Sequence, residues 1–325
     1  MRSHCRALML AALTAGLALT AHQSWAQTYP SQPVRLIVAY SAGGTGDVVA
    51  RIIADRLASA LGQTVVVENR AGASGAIGAR SVATAAPDGH TLLVGQTGEI
   101  AINQHMIKNL NYDPDKDLQP IALAAVVPLA LVVPAKAPYS TMAELIAALP
   151  AAKLTFASAG AGTPGYFAGE LLKAETKSSL THVPYKGAGP ALNDLVGGHV
   201  DMYFPGMPAV MPHLKSGLLK VLAVSSAKRS AIAPEVPTVA ETSGIKGFDF
   251  TLWQGFFAPA GTPKEIGARL NAEINKILAE PETRKKLVDA GAEVTPMSQV
   301  QFADFVRTES SKYLRIIQET GLKFE

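Results

Sequence analysis

Short apolar runs alternate with helix-period patterns along almost the whole chain, and this alternation restricts the fold more than any other feature. It argues an α/β class with mainly parallel sheets. Strands are expected at Val34–Ala39, Thr64–Val67 and Thr91–Val94, then at "KLTFAS", "HVPYKG", "HVDMYF" and "LKVLAVS". Between the first two, Val48, Val49, Ile52, Ile53, Leu57, Ala60 and Leu61 recur at helical spacing and stop at Gly62. Thr141 and Glu144 predict a capping box for a helix over Met142–Leu149. From Pro263 the chain reads as three helices, Pro263–Leu278, Pro281–Ala290 and roughly Ser298–Thr320, each beginning near Pro or Ser.

Two stretches interrupt the alternation. "IALAAVVPLALVV", residues 121–133, is a long apolar run broken by Pro128, and "FDFTLWQGFFAPAG" is a second. Both read as passages from one lobe to the other. The expected architecture is therefore a hinged clamshell of two α/β lobes, with two interlobe crossings. Residues 27–124 plus 251–325 form the first lobe and residues 125–250 the second. Trp253 and Phe256–Phe257 are expected to pack at the hinge.

The first 26 residues stand apart. Arg2 and Arg6 form a positive start, Ala7–Leu19 is apolar, and Ser24-Trp25-Ala26 fits a small-x-small cleavage site. That pattern predicts a secretory signal peptide cut after Ala26 and a periplasmic protein. No later run reaches the roughly 18 apolar residues a membrane span needs. Cys5, the one cysteine, leaves with the signal. The mature chain then has no disulfide, thiolate nucleophile or cysteine-bound metal. Loss of Arg2 and Arg6 takes the formal charge from +3 to about +1, which excludes the basic stripe of a nucleic-acid binder.

Chemistry is expected at two glycine-rich turns. "SAGGTGD", residues 41–47, lies between a strand and a helix; free amides and the helix dipole make such a place an anion site. No Gly-Lys-Ser/Thr follows, so it is not a P-loop, and Val49 stands where a Rossmann fingerprint has Gly or Ala. A second turn, "SAGAGTPG", residues 158–165, sits at the same kind of junction in the other lobe. Two helix starts facing one cleft favour a small organic anion, with Thr97 and Gly98 as further donors. Asp201, and Tyr185 with Lys186, are placed at strand ends facing the same region. Gly72, Gly75 and Gly78 read as a close-packed helix face. Catalytic signatures are missing: there is no H-E-x-x-H, no G-x-S-x-G and no acidic metal loop. His90, His105, His182, His199 and His213 are scattered. No metal and no cofactor are expected.

From about Tyr29 to its end the chain resembles the Bug-type periplasmic solute receptors of tripartite tricarboxylate transporters. The matching stretches include "YPSQPVRLIVAYSAGGTGDVVARIIADRL", "VVVENRAGASGAIGA", "VPYKGAGPALNDLVGGHVDMYF" and "GFFAPAGTPKEIGARLNAEINK". The resemblance implies a two-lobed periplasmic-binding-protein (Venus flytrap) clamshell, a receptor that closes on a small carboxylate and hands it to integral-membrane permease subunits. It implies ligand contacts at Tyr40, Ser41, Ala42, Gly43, Gly44 and Asp47, at Ser158, Gly160, Gly162 and Thr163, and at Asp201 of the "VD" segment. The chain departs from the family at Tyr166-Phe167, where a His often follows the loop, and Tyr166 would suit a bulkier or aromatic acid. A monomer is expected. Two other functions stay open: a sensor for a membrane signalling partner, and a clamshell hydrolase or transferase using Asp47 or Asp201 as base.

Overall fold

The computed structural model describes residues 29–321; the expected signal peptide, its cleavage point and Cys5 lie outside them. Among the described residues ten strands form two five-stranded sheets. The first contains β1 (Val34–Val38), β2 (Val65–Asn69), β3 (Thr91–Gln96), β4 (Leu118–Pro128) and β10 (Thr251–Pro259), in the order β2-β1-β3-β10-β4. The second contains β5 (Ala130–Pro134), β6 (Thr155–Ser158), β7 (Thr181–Pro184), β8 (Met202–Tyr203) and β9 (Leu219–Val224), in the order β7-β6-β8-β5-β9. Four strands of each sheet run parallel and the fourth in order is reversed. That reversed strand, β10 or β5, is the one entered from the opposite lobe.

The helices follow in chain order as α1 (Thr45–Leu61), α2 (Ala76–Ala83), α3 (Asn103–Met106), α4 (Pro114–Asp117), α5 (Met142–Ala148), α6 (Pro164–Thr176), α7 (Ala188–Gly197) and α8 (Met207–Lys215). Beyond them come α9 (Val239–Ser243), α10 (Lys264–Ala279), α11 (Pro281–Asp289) and α12 (Gln299–Thr320). The capping box at α5 forms as expected: Thr141 accepts from the Glu144 amide, and Glu144 accepts from the Thr141 amide. Helix α8 has no counterpart among the expected elements; it carries Pro208 near its start and Pro212 within it. Pro208 falls in the first turn, where its missing N–H costs nothing.

The crossings lie side by side. Leu129 alone separates β4 from β5, and Thr251 at the start of β10 pairs with Pro128. Ser225, at the end of β9, ties both together: its amide donates to Leu129 O at 3.0 Å and its hydroxyl to Phe250 O at 2.5 Å. Trp253, Phe257 and Phe302 form one ring cluster inside the first lobe, joining β10 to α12. Helix α12 also reaches the second lobe, where the Tyr313 ring meets Phe167 edge-on at 5.5 Å.

The Gly72, Gly75 and Gly78 spacing is not one helix face. Gly72 and Gly75 sit in a turn with φ of 135° and 87°, and the helix starts only at Ala76. Gly78 alone performs the expected close packing. A β-carbon there would lie 2.6 Å from Ala39 Cα and 2.9 Å from Arg70 O, both backbone atoms with little room to yield. Gly78→Ala should therefore lower stability by about 1–3 kcal/mol. The check is a urea titration, with a lower midpoint at an unchanged slope.

Candidate functional site

Four helix starts converge between the lobes. Helix α1 begins after the turn that leaves β1; α6, α7 and α8 begin after β6, β7 and β8. Their first residues, Thr45 and Gly46, Pro164 and Gly165, Ala188, and the cap residue Gly206, line one cavity of about 30 Å³. The first amides of a helix have no partner within it, and each helix start carries a partial positive charge. The lining contains neither Lys nor Arg. Attraction for an anion here comes from helix-start backbone and neutral polar side chains, without a cation.

Glycine makes the approach possible. A β-carbon on Gly189 would strike the Ala42 carbonyl, and one on Gly187 the Ser41 hydroxyl, so the first loop and the start of α7 are in direct contact. On the other side of the cleft Gly162 donates its amide to Ser74 Oγ at 3.3 Å. A β-carbon on Gly160 would meet that same oxygen at 2.7 Å, and one on Gly98 would meet Gly162 O at 2.8 Å. The lobes are closed on each other.

The structure places the expected residues in three groups. Tyr40, Gly44 and Thr163 line the cavity. Ser41, Ala42, Gly43, Gly98, Gly160 and Gly162 form the interlobe contacts around it. The third group is engaged elsewhere. Thr97 uses its hydroxyl to accept the Trp253 amide at 3.1 Å. Ser158 is bonded to His182 Nε2 at 2.6 Å and accepts the Gly160 amide at 3.1 Å, so it shapes the second loop. Burial lowers His182 to about 4, making that ring a poor base at neutral pH.

Two assignments need correction. Tyr166 packs inside the second lobe against Phe167 and His182, with ring centroids 5.7 and 4.8 Å away, and does not line the cavity. Asp201 precedes β8 at the end of the sheet remote from the helix starts. It accepts from the Thr155 amide at 2.7 Å and hydroxyl at 2.8 Å, a brace between neighbouring strands. Likewise Tyr185 donates to Asp194 at 2.6 Å, and Lys186 is exposed.

Asp47 is also committed within its own lobe. It accepts the Gly43 amide at 3.1 Å and the Arg51 guanidinium at 3.0 Å. Burial by itself would raise its proton affinity, but Arg51, the Gly43 amide and Asn69 outweigh that and hold the carboxyl below its ordinary range. Its charge fixes the turn that presents Thr45 and Gly46.

Several lining residues had no motif to announce them. Gln96, which lines the cavity, accepts a 2.9 Å hydrogen bond from Gln254 Nε2 on the adjacent strand, and Thr45 Oγ1 is buried beside Gly206 with no protein partner. The second-lobe helix starts did carry a signal. Each has glycine followed within three residues by proline: Gly162-Thr163-Pro164, Gly187 to Pro190, and Gly206-Met207-Pro208.

A family model described as tripartite tricarboxylate transporter family receptor matches residues 49–322. The chain belongs to this family. It is 36% identical over 315 residues to Protein BugT of Bordetella pertussis, covering 96% of this chain and 95% of that one. Among solved structures it is similar to Rpa4515 of R. palustris with adipate, at TM-score 0.87 and 35% identity over 91% of this chain and 99% of the other. It is similar also to MatC of Rhodopseudomonas palustris with bound malate, at TM-score 0.82 and 36% identity over 89% and 100%. The family and these neighbours are solute-binding receptors, not enzymes, and the hydrolase or transferase alternative falls.

The Asp47 brace makes a pH-dependent prediction. A carboxyl whose folded-state affinity for protons is lowered adds stability above its ordinary value of 3.8 and loses it as pH falls through the folded value. Asp47→Asn should be about 1 kcal/mol less stable at pH 6. Urea unfolding at pH 6 and pH 3 checks this, and the gap should close at the lower pH.

Proposed function

We propose that this chain is a periplasmic receptor that closes its two lobes on a small organic carboxylate and presents it to the membrane permease subunits of a tripartite transporter. The observation that carries this is the meeting of four helix starts at one cation-free cavity. A carboxylate suits such a place better than a phosphate, because Asp47 already holds a negative charge in the α1 turn. Adipate and malate in the neighbouring structures support the same ligand class. The expected signal peptide supports export, and among the described residues no helix is long and apolar enough to cross a membrane.

The cavity has room for little more than a water molecule. A dicarboxylate enters only when the lobes part, and they reclose because both loops then contact it. The ligand contacts come from the amides at Thr45, Gly46, Gly165 and Ala188 together with the Thr45 hydroxyl.

A thermal-shift panel of mono-, di- and aromatic carboxylates tests the reading. A bound acid at a hundredfold excess over Kd adds about 2.7 kcal/mol to stability, hence several degrees of melting temperature. No shift with any acid counts against the carboxylate site. Gly189→Val and Gly162→Val test closure. Neither glycine has positive φ, and the atoms nearest an added β-carbon belong to the opposite lobe, the Ala42 carbonyl in one case and the Asn103 side chain with Ser74 in the other. Both variants should melt near the ligand-free wild type and bind at least tenfold more weakly by calorimetry.

A further inference from the structure

Beneath the closed contact lies a carboxyl group without a counter-charge. Glu99, in the helical turn Gly98–Ile102, is fully buried. Its Oε1 accepts the Gln96 amide at 2.7 Å. Its Oε2 stands beside the Tyr40 hydroxyl: a β-carbon on Gly75 would meet the two oxygens at 3.0 and 2.9 Å. Tyr40 has one hydroxyl proton and donates it to Ser74 O at 3.0 Å. A protonated Glu99 can donate to Tyr40 and leave the tyrosine proton on Ser74 O, completing a chain, whereas an ionised Glu99 draws that proton to itself. Asn103 Nδ2 also donates to Ser74 O, at 2.9 Å, and Ser74 Oγ receives the Gly162 amide from the second lobe. Ala73 and Ser74 have φ of 47° and 50°, a conformation that needs such bonds to hold it.

We propose that Glu99 is a positioning residue whose proton locks the lobes together, acting through Tyr40 and Ser74 on Gly162. Ionisation breaks the chain at its buried end, the Ser74 turn relaxes, and the hold on Gly162 is lost. Burial pushes Glu99 up to about 8, against bonds from its own amide, the Gln96 amide and Tyr40 that favour the charged form. The ionisable groups on the surrounding elements are Tyr40, Tyr112 (whose hydroxyl donates to Glu99 O), His105 on α3, and Glu309 and Lys312 on α12. Arg80 lies on α2, and Asp113, Asp115, Lys116 and Asp117 lie at α4. In this proposal the closed form needs the proton that the open form does not, so closure is favoured at low pH and is lost as pH rises to about 8.

The inference rests on the closure described above and is tested with dyes on the two lobes. The chain is made without residues 1–26, hence without Cys5, and carries Lys285→Cys on α11 and Glu175→Cys on α6, both exposed sites. Single-molecule energy transfer is read from pH 6 to 9.5. The closed-to-open ratio should fall by up to tenfold per pH unit from pH 6 towards about 8 and level off above it. Glu99→Gln, which keeps a donor for Tyr40 and cannot ionise, should stay closed throughout. Ser74→Ala should be less closed at every pH while its melting temperature keeps the pH dependence of wild type, a separation that a merely structural Glu99 would not give. The proposal is overturned if Glu99→Gln retains the fall, or if the fall disappears in Glu309→Gln or His105→Gln instead. A wild-type signal flat in pH overturns the proton link alone when some acid of the panel above still closes the lobes. It overturns the closure reading as well when none does.

Discussion

Unpartnered peptide amides are the constraint on which the rest of the molecule depends. Helices α1, α6, α7 and α8 all start at the carboxyl ends of strands, and their first turns point into the same gap. Bringing four partial positive charges together is unfavourable in itself, and an anion offsets it. The glycines follow from this demand. Backbones that must approach within contact of one another leave no space for a β-carbon, as at Gly187 and Gly189 opposite Ser41 and Ala42. The internal brace of Asp47 follows as well, because the α1 turn must be rigid before its amides have a fixed direction.

The hinge turns this local chemistry into a motion of the whole chain. Leu129, Ser225 and Phe250 hold the two crossings together by backbone-directed bonds, so they act as one short strap. At the cleft the facing loops meet through backbone and polar side-chain contacts: Gly162 to Ser74, and the loop of Ser41 against Gly187. Helix α12 adds a second tie through Tyr313 and Phe167, which limits how far the lobes can separate.

Much of the fold was legible because periodicity and punctuation agreed. The strand runs, the box at Thr141 and the glycine stop at Gly62 are local signals, and local structure followed them. The crossing at Pro128 was visible as an apolar run too long for one strand. What escaped depended on other things. Helix α8 carries Pro208 and Pro212, and proline favours a helix only in its first turn. The Gly72–Gly78 spacing mimicked a helix face, but positive φ at Gly72 and Gly75 belongs to a turn. In the site, the glycine loops were recognisable by their chemistry. Asp201 and Tyr166 were misplaced because direction along a strand, and the side of a helix that meets the cleft, are tertiary facts. Gln96 and Gln254 meet only because β3 and β10 are neighbours, although 158 positions separate them.

The register of β4 and β10 gives the second lobe an unexpected standing. Pro128 faces Thr251 in an antiparallel ladder that runs on to Leu118 and Pro259. Seen from the first lobe, this is a single long hairpin, and everything between its two arms occupies the place of its turn. A body with its own five-stranded sheet is thus hung on the tip of a hairpin. Its swing is the bending of a ribbon, and the ribbon's root lies inside the sheet that carries the ligand-facing end of β3.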